Sequence, residues 1–155
     1  MADPSPRVAI VDYGLGNLFS IAQACTIVGL NSIITSSKKD ILDAEAVILP
    51  GVGAFGDAMS ALQRLDLVSV LRFISESSKP LVGICLGMQL MMTESYEFGH
   101  HKGLGIIEGP VERFDAPKEK ERLLKVPQIG WNQIFKSENN SQQWYGTLLD
   151  SIGDL

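Results

Sequence analysis

The residue best placed to do chemistry is Cys85, which lies in the run Pro80-Leu-Val-Gly-Ile-Cys-Leu-Gly-Met-Gln89. An apolar strand breaks there at Gly83-Ile84-Cys85-Leu86-Gly87 and a helical pattern follows. A thiol at the tip of a sharp strand-to-helix turn is pushed clear of the sheet, because the turn needs unusual backbone angles and small neighbours on either side. Gly83 and Gly87 supply that room. The helix opening at Leu86 would aim unpaired N–H groups at the sulfur, favouring the thiolate and offering donors to an oxyanion. The competing reading is a structural cysteine, since free Cys ranks among the most buried residue types.

Two glycine-rich loops should reach the same edge, because sites in an open α/β sheet form where the carboxyl ends of the strands meet. In Pro50-Gly-Val-Gly53 a backbone freed by two glycines can turn peptide N–H groups toward a carbonyl under attack by Cys85. A plain strand-to-loop turn would use glycine equally well, and both readings stay open. Asp12-Tyr-Gly-Leu-Gly-Asn17 carries half of a dinucleotide-binding pattern, but the third glycine is missing. Thiol acyl chemistry also needs a base, usually an oriented histidine. The two histidines, His100 and His101, follow the elbow helix. If that helix runs on for about nine residues at ~1.5 Å each, they lie on the order of 13 Å from the sulfur, so both are expected as exposed loop residues.

Positioning these groups requires a sheet. Arg7-Val-Ala-Ile-Val-Asp12, Ala46-Val-Ile-Leu-Pro50 and Leu81-Val-Gly-Ile-Cys85 are short continuous apolar runs, as expected of parallel strands buried on both faces. Asn31 to Thr35 reads as a further strand. Asn17 to Val28 reads as a helix with Asn17 as N-cap, Gly29 past its end, and Leu18, Ile21, Ala22, Cys25 and Val28 on one face. Asp57 to Leu65 and Leu67 to Ser77 read as two more helices. The order is β-α-β-β-α-β-α, an α/β, three-layer fold with a mostly parallel central sheet flanked by helices, flavodoxin-like in layout. After residue 105 an antiparallel extension is expected, with strands over Ile106 to Phe114 and Leu123 to Phe135 around the charged Lys118-Glu-Lys-Glu-Arg122 turn. Gln142 to Leu149 could add a last helical turn or two.

Composition narrows the partners. The chain has 155 residues, 45% of them hydrophobic, enough for a single domain over 1–155 with a proper core. A net charge of −5 without a basic stripe gives no support to nucleic acid or an acidic membrane surface as partner. Cys25 and Cys85 have no spaced companions for a metal, and no stretch reads as a signal peptide or bilayer span, so a reducing, cytoplasmic setting is expected.

With these loops in hand, the chain resembles the class I (triad-type) glutamine amidotransferases. Asp12-Tyr-Gly-x-Gly-Asn17-x-x-Ser20, Leu49-Pro-Gly-Val-Gly-Ala-Phe-Gly-Asp-Ala-Met59, Gly83-Ile-Cys-Leu-Gly-Met-Gln-Leu90 and Val126-Pro-Gln-Ile-Gly-Trp-Asn132 carry the resemblance in the family's order and spacing. The Gly-Val-Gly loop and Gly130-Trp131-Asn132 point to the branch that forms the glutaminase subunit of imidazole glycerol phosphate synthases. The resemblance implies that Cys85 attacks the side-chain amide of L-glutamine and forms a thioester with release of ammonia. It implies an oxyanion hole from the N–H groups of Val52 and Leu86, with Gly51, Gly53 and Gln89 holding the substrate. No cofactor or metal is implied. Ammonia would be channelled, within a heterodimer, to a (β/α)8-barrel cyclase subunit acting as a lyase in histidine biosynthesis, with Asn17, Gln128, Trp131 and Asn132 facing that partner. Many relatives carry His where Gln128 stands. The family's triad His and Glu lie several dozen residues beyond the Leu149 region, so the resemblance implies a chain lacking its C-terminal segment. The rival readings are a docking subunit without a working triad and the glutaminase of another amidotransferase.

Overall fold

A computed structural model describes residues 7–114, 118–119, 122–123, 126, 130–134 and 146. The chain divides into two compact units, Met1–Arg113 and Phe114–Leu155. In the first unit β1 (Arg7–Val11), β2 (Asn31–Thr35), β3 (Ala46–Leu49) and β4 (Leu81–Gly83) form a wholly parallel sheet in the order β2-β1-β3-β4. This confirms the expected parallel strands and gives the α/β class. The crossovers are α1 (Leu18–Ile27), α2 (Lys38–Asp43), and the pair α3 (Phe55–Arg64) and α4 (Val68–Glu76). Residues alternate between the faces of a strand, which sorts the sheet side chains. Ala9, Val11, Val47 and Leu49 join Ile41 of α2, Phe55 and Leu62 of α3, and Leu71 and Ile74 of α4 in one buried cluster.

The opposite face is thinner. Val8, Ile10 and Cys25 of α1 are buried outside that cluster. Beside them Ile34 and Ile84 keep 43% and 40% of their surface exposed. The α1 face differs from expectation at one end: Leu18, Ile21, Ala22 and Cys25 are at least partly buried, but Val28 is 69% exposed. Val28 caps the helix instead of extending its buried stripe, and Gly29 follows at φ +76°. Asn17 is the expected N-cap, its side-chain oxygen accepting the Ser20 N–H at 3.3 Å.

Three other elements depart from the sequence reading. Helix α2 was not anticipated; six residues are too few for a visible periodicity, yet Ser37 caps it by accepting the Asp40 N–H. The elbow helix α5 is only Leu86–Leu90, after which β5 (Met92–Ser95) begins. β7 (Ile107–Val111) pairs in parallel with β5, a strand the sequence reading did not contain, while β5 and β6 (His101–Lys102) form the antiparallel pair of that three-stranded sheet. Alternation sets which face a strand buries, not the direction of its neighbour. In the second unit β8 (Lys118–Glu119) and β9 (Arg122–Leu123) form an antiparallel pair, so Lys118, Glu119 and Arg122 of the charged run lie in strands. The expected strand as far as Phe135 and the helix from Gln142 to Leu149 fall mostly outside the described residues. Among the described residues no helix is long and apolar enough to cross a membrane.

Candidate active site

The turn after β4 is strained where the sequence places the thiol. Cys85 has φ +54° and ψ −117°, a conformation that non-glycine residues avoid and that costs on the order of 1–3 kcal/mol. Its thiol is free and exposed, whereas Cys25 is buried, so the structural-cysteine reading fits Cys25 and not Cys85. The elbow is tied to the end of β3 by one carbonyl: Leu49 O accepts the Ile84 N–H at 3.0 Å. A Cβ on Gly87 would sit 1.8 Å from that same oxygen, so only glycine lets α5 press against β3. A Cβ on Gly83 would meet Met88 Cα and the Met91 sulfur, each at 2.6 Å. Both glycines that flank Cys85 therefore serve close approach.

The Pro50–Gly53 loop lies against the first turn of α5. A Cβ on Gly51 would lie 2.4 Å from the Tyr13 hydroxyl oxygen, 2.9 Å from Leu86 Cβ and 3.0 Å from Gly87 N. Gly53 has φ +107° with open space where a side chain would stand, so here glycine answers a conformational need. Among the described residues, neither the Val52 N–H nor the Leu86 N–H donates to a protein group. Val52 is 52% exposed, Leu86 is buried, and Gln89 is half-buried on α5. The structure thus sets Gly51 of the loop against Leu86 and Gly87, the residues that follow Cys85 in the elbow.

Two contacts that sequence reasoning missed hold this loop at its ends. Tyr13, buried at the end of β1, donates its hydroxyl to Pro50 O at 2.7 Å. Burial, and then the negative charge of a Cys85 thiolate, push the Tyr13 phenol up to about 12. At the far end the Phe55 N–H donates to a Glu97 carboxylate oxygen at 2.9 Å, where α3 has no side-chain cap of its own. The Asp12 carboxylate accepts the Gly14 N–H at 3.0 Å, closing the first glycine-rich loop on itself.

The histidines are engaged elsewhere. His100 is exposed as expected, paired with Glu94 at 2.7 Å and stacked on Tyr96. His101 corrects the sequence reading: it is half-buried on β6, and its ring fills the space a side chain at Gly56 would need. A five-residue α5 that turns into β5, not a nine-residue helix, determines where both lie. Among the described residues no cluster of His, Cys, Asp or Glu could hold a metal ion. A shallow cavity of about 420 Å³ beside Tyr13, Asp57 and Arg64 does not include Cys85. Of the expected partner-facing residues, Asn17 is exposed, Trp131 is fully exposed, and Asn132 is exposed with its amide on Gly130 O at 3.3 Å. Gln128 lies outside the described residues.

The family model for glutamine amidotransferase class-I matches residues 9–149. Among curated relatives, imidazole glycerol phosphate synthase subunit HisH of Sulfurimonas denitrificans is 46% identical over 132 residues, covering 85% of this chain and 63% of that protein. The HisH subunit of Aquifex aeolicus is 46% identical, covering 86% of this chain and 62% of its own length. A HisH subunit of Legionella pneumophila is 41% identical over 145 residues, 94% of this chain and 68% of the relative. The chain therefore spans a little under two thirds of the first of these relatives. A crystal structure described as a glutamine amidotransferase superposes with a TM-score of 0.59 at 21% identity, covering 68% of this chain and 56% of the other, which supports the fold. The matched region holds both the strained elbow and the loop packed against it: this chain belongs to the class-I glutamine amidotransferase family.

Proposed function

We propose that this chain is the glutaminase part of an imidazole glycerol phosphate synthase, in which Cys85 hydrolyses L-glutamine to glutamate and ammonia. The observation that carries the reading is an exposed thiol at φ +54° beside a loop whose Val52 N–H, like that of Leu86, has no protein acceptor among the described residues. The Cys85 thiolate adds to the carboxamide carbon of glutamine, and the carbonyl electron pair moves onto oxygen. Val52 and Leu86 N–H groups stabilise that charge from about 2.7–3.1 Å. Collapse of the adduct breaks the C–N bond, ammonia leaves with a proton from the general acid, and a thioester remains. Water then adds, the C–S bond breaks, and glutamate departs with the thiol restored. Gly51, Gly53 and Gln89 hold the amino-acid part of the substrate.

His100 and His101 are committed to Glu94 and to the Gly56 surface, so the base is assigned to a histidine in a C-terminal segment beyond these residues. The ammonia passes to a (β/α)8-barrel cyclase subunit in the cytoplasm, the partner proposed for Asn17 in the first unit and, separately, for Gln128, Trp131 and Asn132 in the second. A glutamine-derived chloroketone tests the reading. Mixed with the protein and its synthase partner, it should label Cys85 stoichiometrically, and excess L-glutamine should slow the labelling. An unlabelled Cys85 that still reacts with iodoacetamide would leave a docking subunit as the better description.

A further inference from the structure

We propose that Tyr13 is a positioning residue for the oxyanion loop, its hydroxyl setting the orientation of the Pro50–Gly51 peptide and through it the Val52 N–H. The inference rests on the glutaminase reading of Cys85. The Tyr13 ring is 4% exposed, and its hydroxyl donates to Pro50 O at 2.7 Å across 37 residues of chain. A peptide unit is planar with C=O and N–H opposed, so fixing the carbonyl oxygen fixes the direction of the Gly51 N–H as well. The next peptide carries the Val52 N–H and is joined to the first only through Gly51, the residue type with the widest choice of backbone angles. Without a brace, glycines at 51 and 53 leave that N–H free to turn away from the thiol.

The packing shows that hydroxyl, loop and elbow fit as one stack. A Cβ on Gly51 would collide at once with the Tyr13 hydroxyl oxygen, Leu86 Cβ and Gly87 N, so the three groups close on the same point. A phenol raised to about 12 by burial remains a protonated donor throughout the neutral range. Phenylalanine would preserve the buried ring and remove only the donor. Since Tyr13 acts through Val52 rather than on the substrate, its loss should cost less than deleting an oxyanion donor outright, which takes about 10²–10³-fold.

The test compares two reagents on the full chain and on Tyr13→Phe. A glutamine-derived chloroketone reacts through a tetrahedral adduct that needs the oxyanion hole, whereas iodoacetamide alkylates a thiol by direct displacement and does not. Tyr13→Phe should lower the limiting rate of chloroketone inactivation about tenfold with its half-saturating concentration little changed. Iodoacetamide should alkylate Cys85 within about twofold of wild type, which also shows that the variant keeps its elbow. Equal limiting chloroketone rates in the two proteins would overturn the role of Tyr13 alone. A parallel loss with both reagents would assign Tyr13 a merely structural part and also overturn it. A wild-type Cys85 that takes iodoacetamide but no chloroketone would overturn the glutaminase reading and the Tyr13 assignment with it.

Discussion

Replacing Gly87 with alanine sets two effects of known size against each other. Gly87 lies inside α5, where alanine would gain about 1 kcal/mol from helix propensity. The same Cβ would stand 1.8 Å from Leu49 O, 2.7 Å from Leu49 C and 3.0 Å from Pro50 C. A carbon normally stays about 3.3 Å or more from a carbonyl oxygen, so the start of α5 must retreat by roughly 1.5 Å. All three atoms are backbone at or just past the end of β3, and no side chain can rotate aside. Overpacking of this kind costs about 1–3 kcal/mol where side chains can yield, and about 3 kcal/mol or more is expected here. Steric cost therefore exceeds propensity, and Gly87→Ala should destabilise the chain by at least about 2 kcal/mol in urea denaturation. Gly29→Ala is the comparison, because Gly29 has φ +76° and nothing within 4 Å of a new Cβ. It should lose only about 1 kcal/mol, through the left-handed backbone. A Gly87→Ala protein as stable as wild type would mean that α5 does not press on β3, and the account of the elbow would fail with it.

Three further outcomes follow from the same geometry. Removing the Glu97 cap with Glu97→Ala should cost about 1–2 kcal/mol of stability by urea denaturation, while Glu97→Gln, which keeps an acceptor for the Phe55 N–H, should recover part of it. Asn17→Ala should lose about 1 kcal/mol by thermal or urea unfolding as the Ser20 N–H loses its partner, and Asn17→Asp should come within a few tenths of wild type. The Tyr13 phenol is raised from 10.0 to about 12, so the folded state favours the neutral form. Its contribution is fully present below pH 10 and is lost as pH rises through about 12. The loss is on the order of 2 kcal/mol or less. The difference between wild type and Tyr13→Phe in urea stability, followed from pH 9 to 12, should show that decline, and a flat difference would refute it.

The parts of the molecule legible in the sequence are those coded by neighbours in the chain. Apolar runs encode β1, β3 and β4, Asn17 announces the start of α1, and the glycines around Cys85 mark the elbow, where φ is +54°. What escaped depends on distant residues or on very short elements. Six residues of α2 show no periodicity, although Ser37 three before Asp40 was a usable cap signal. The direction of β7 is set by its partner β5, and nothing within Ile107–Val111 encodes it. The two ends of the Pro50–Gly53 loop are held by Tyr13 and Glu97 across 37 and 42 residues, and no local pattern links either to the loop.

The central claim is that Cys85 and the N–H groups of Val52 and Leu86 form one acyl-transfer site. A crystal structure of the covalent adduct between the protein and a glutamine-derived chloroketone tests it most directly. The expected result is a bond to the Cys85 sulfur and an adduct oxygen about 2.7–3.1 Å from both Val52 N and Leu86 N. An adduct on Cys85 whose oxygen points into solvent, with neither N–H in reach, would contradict it.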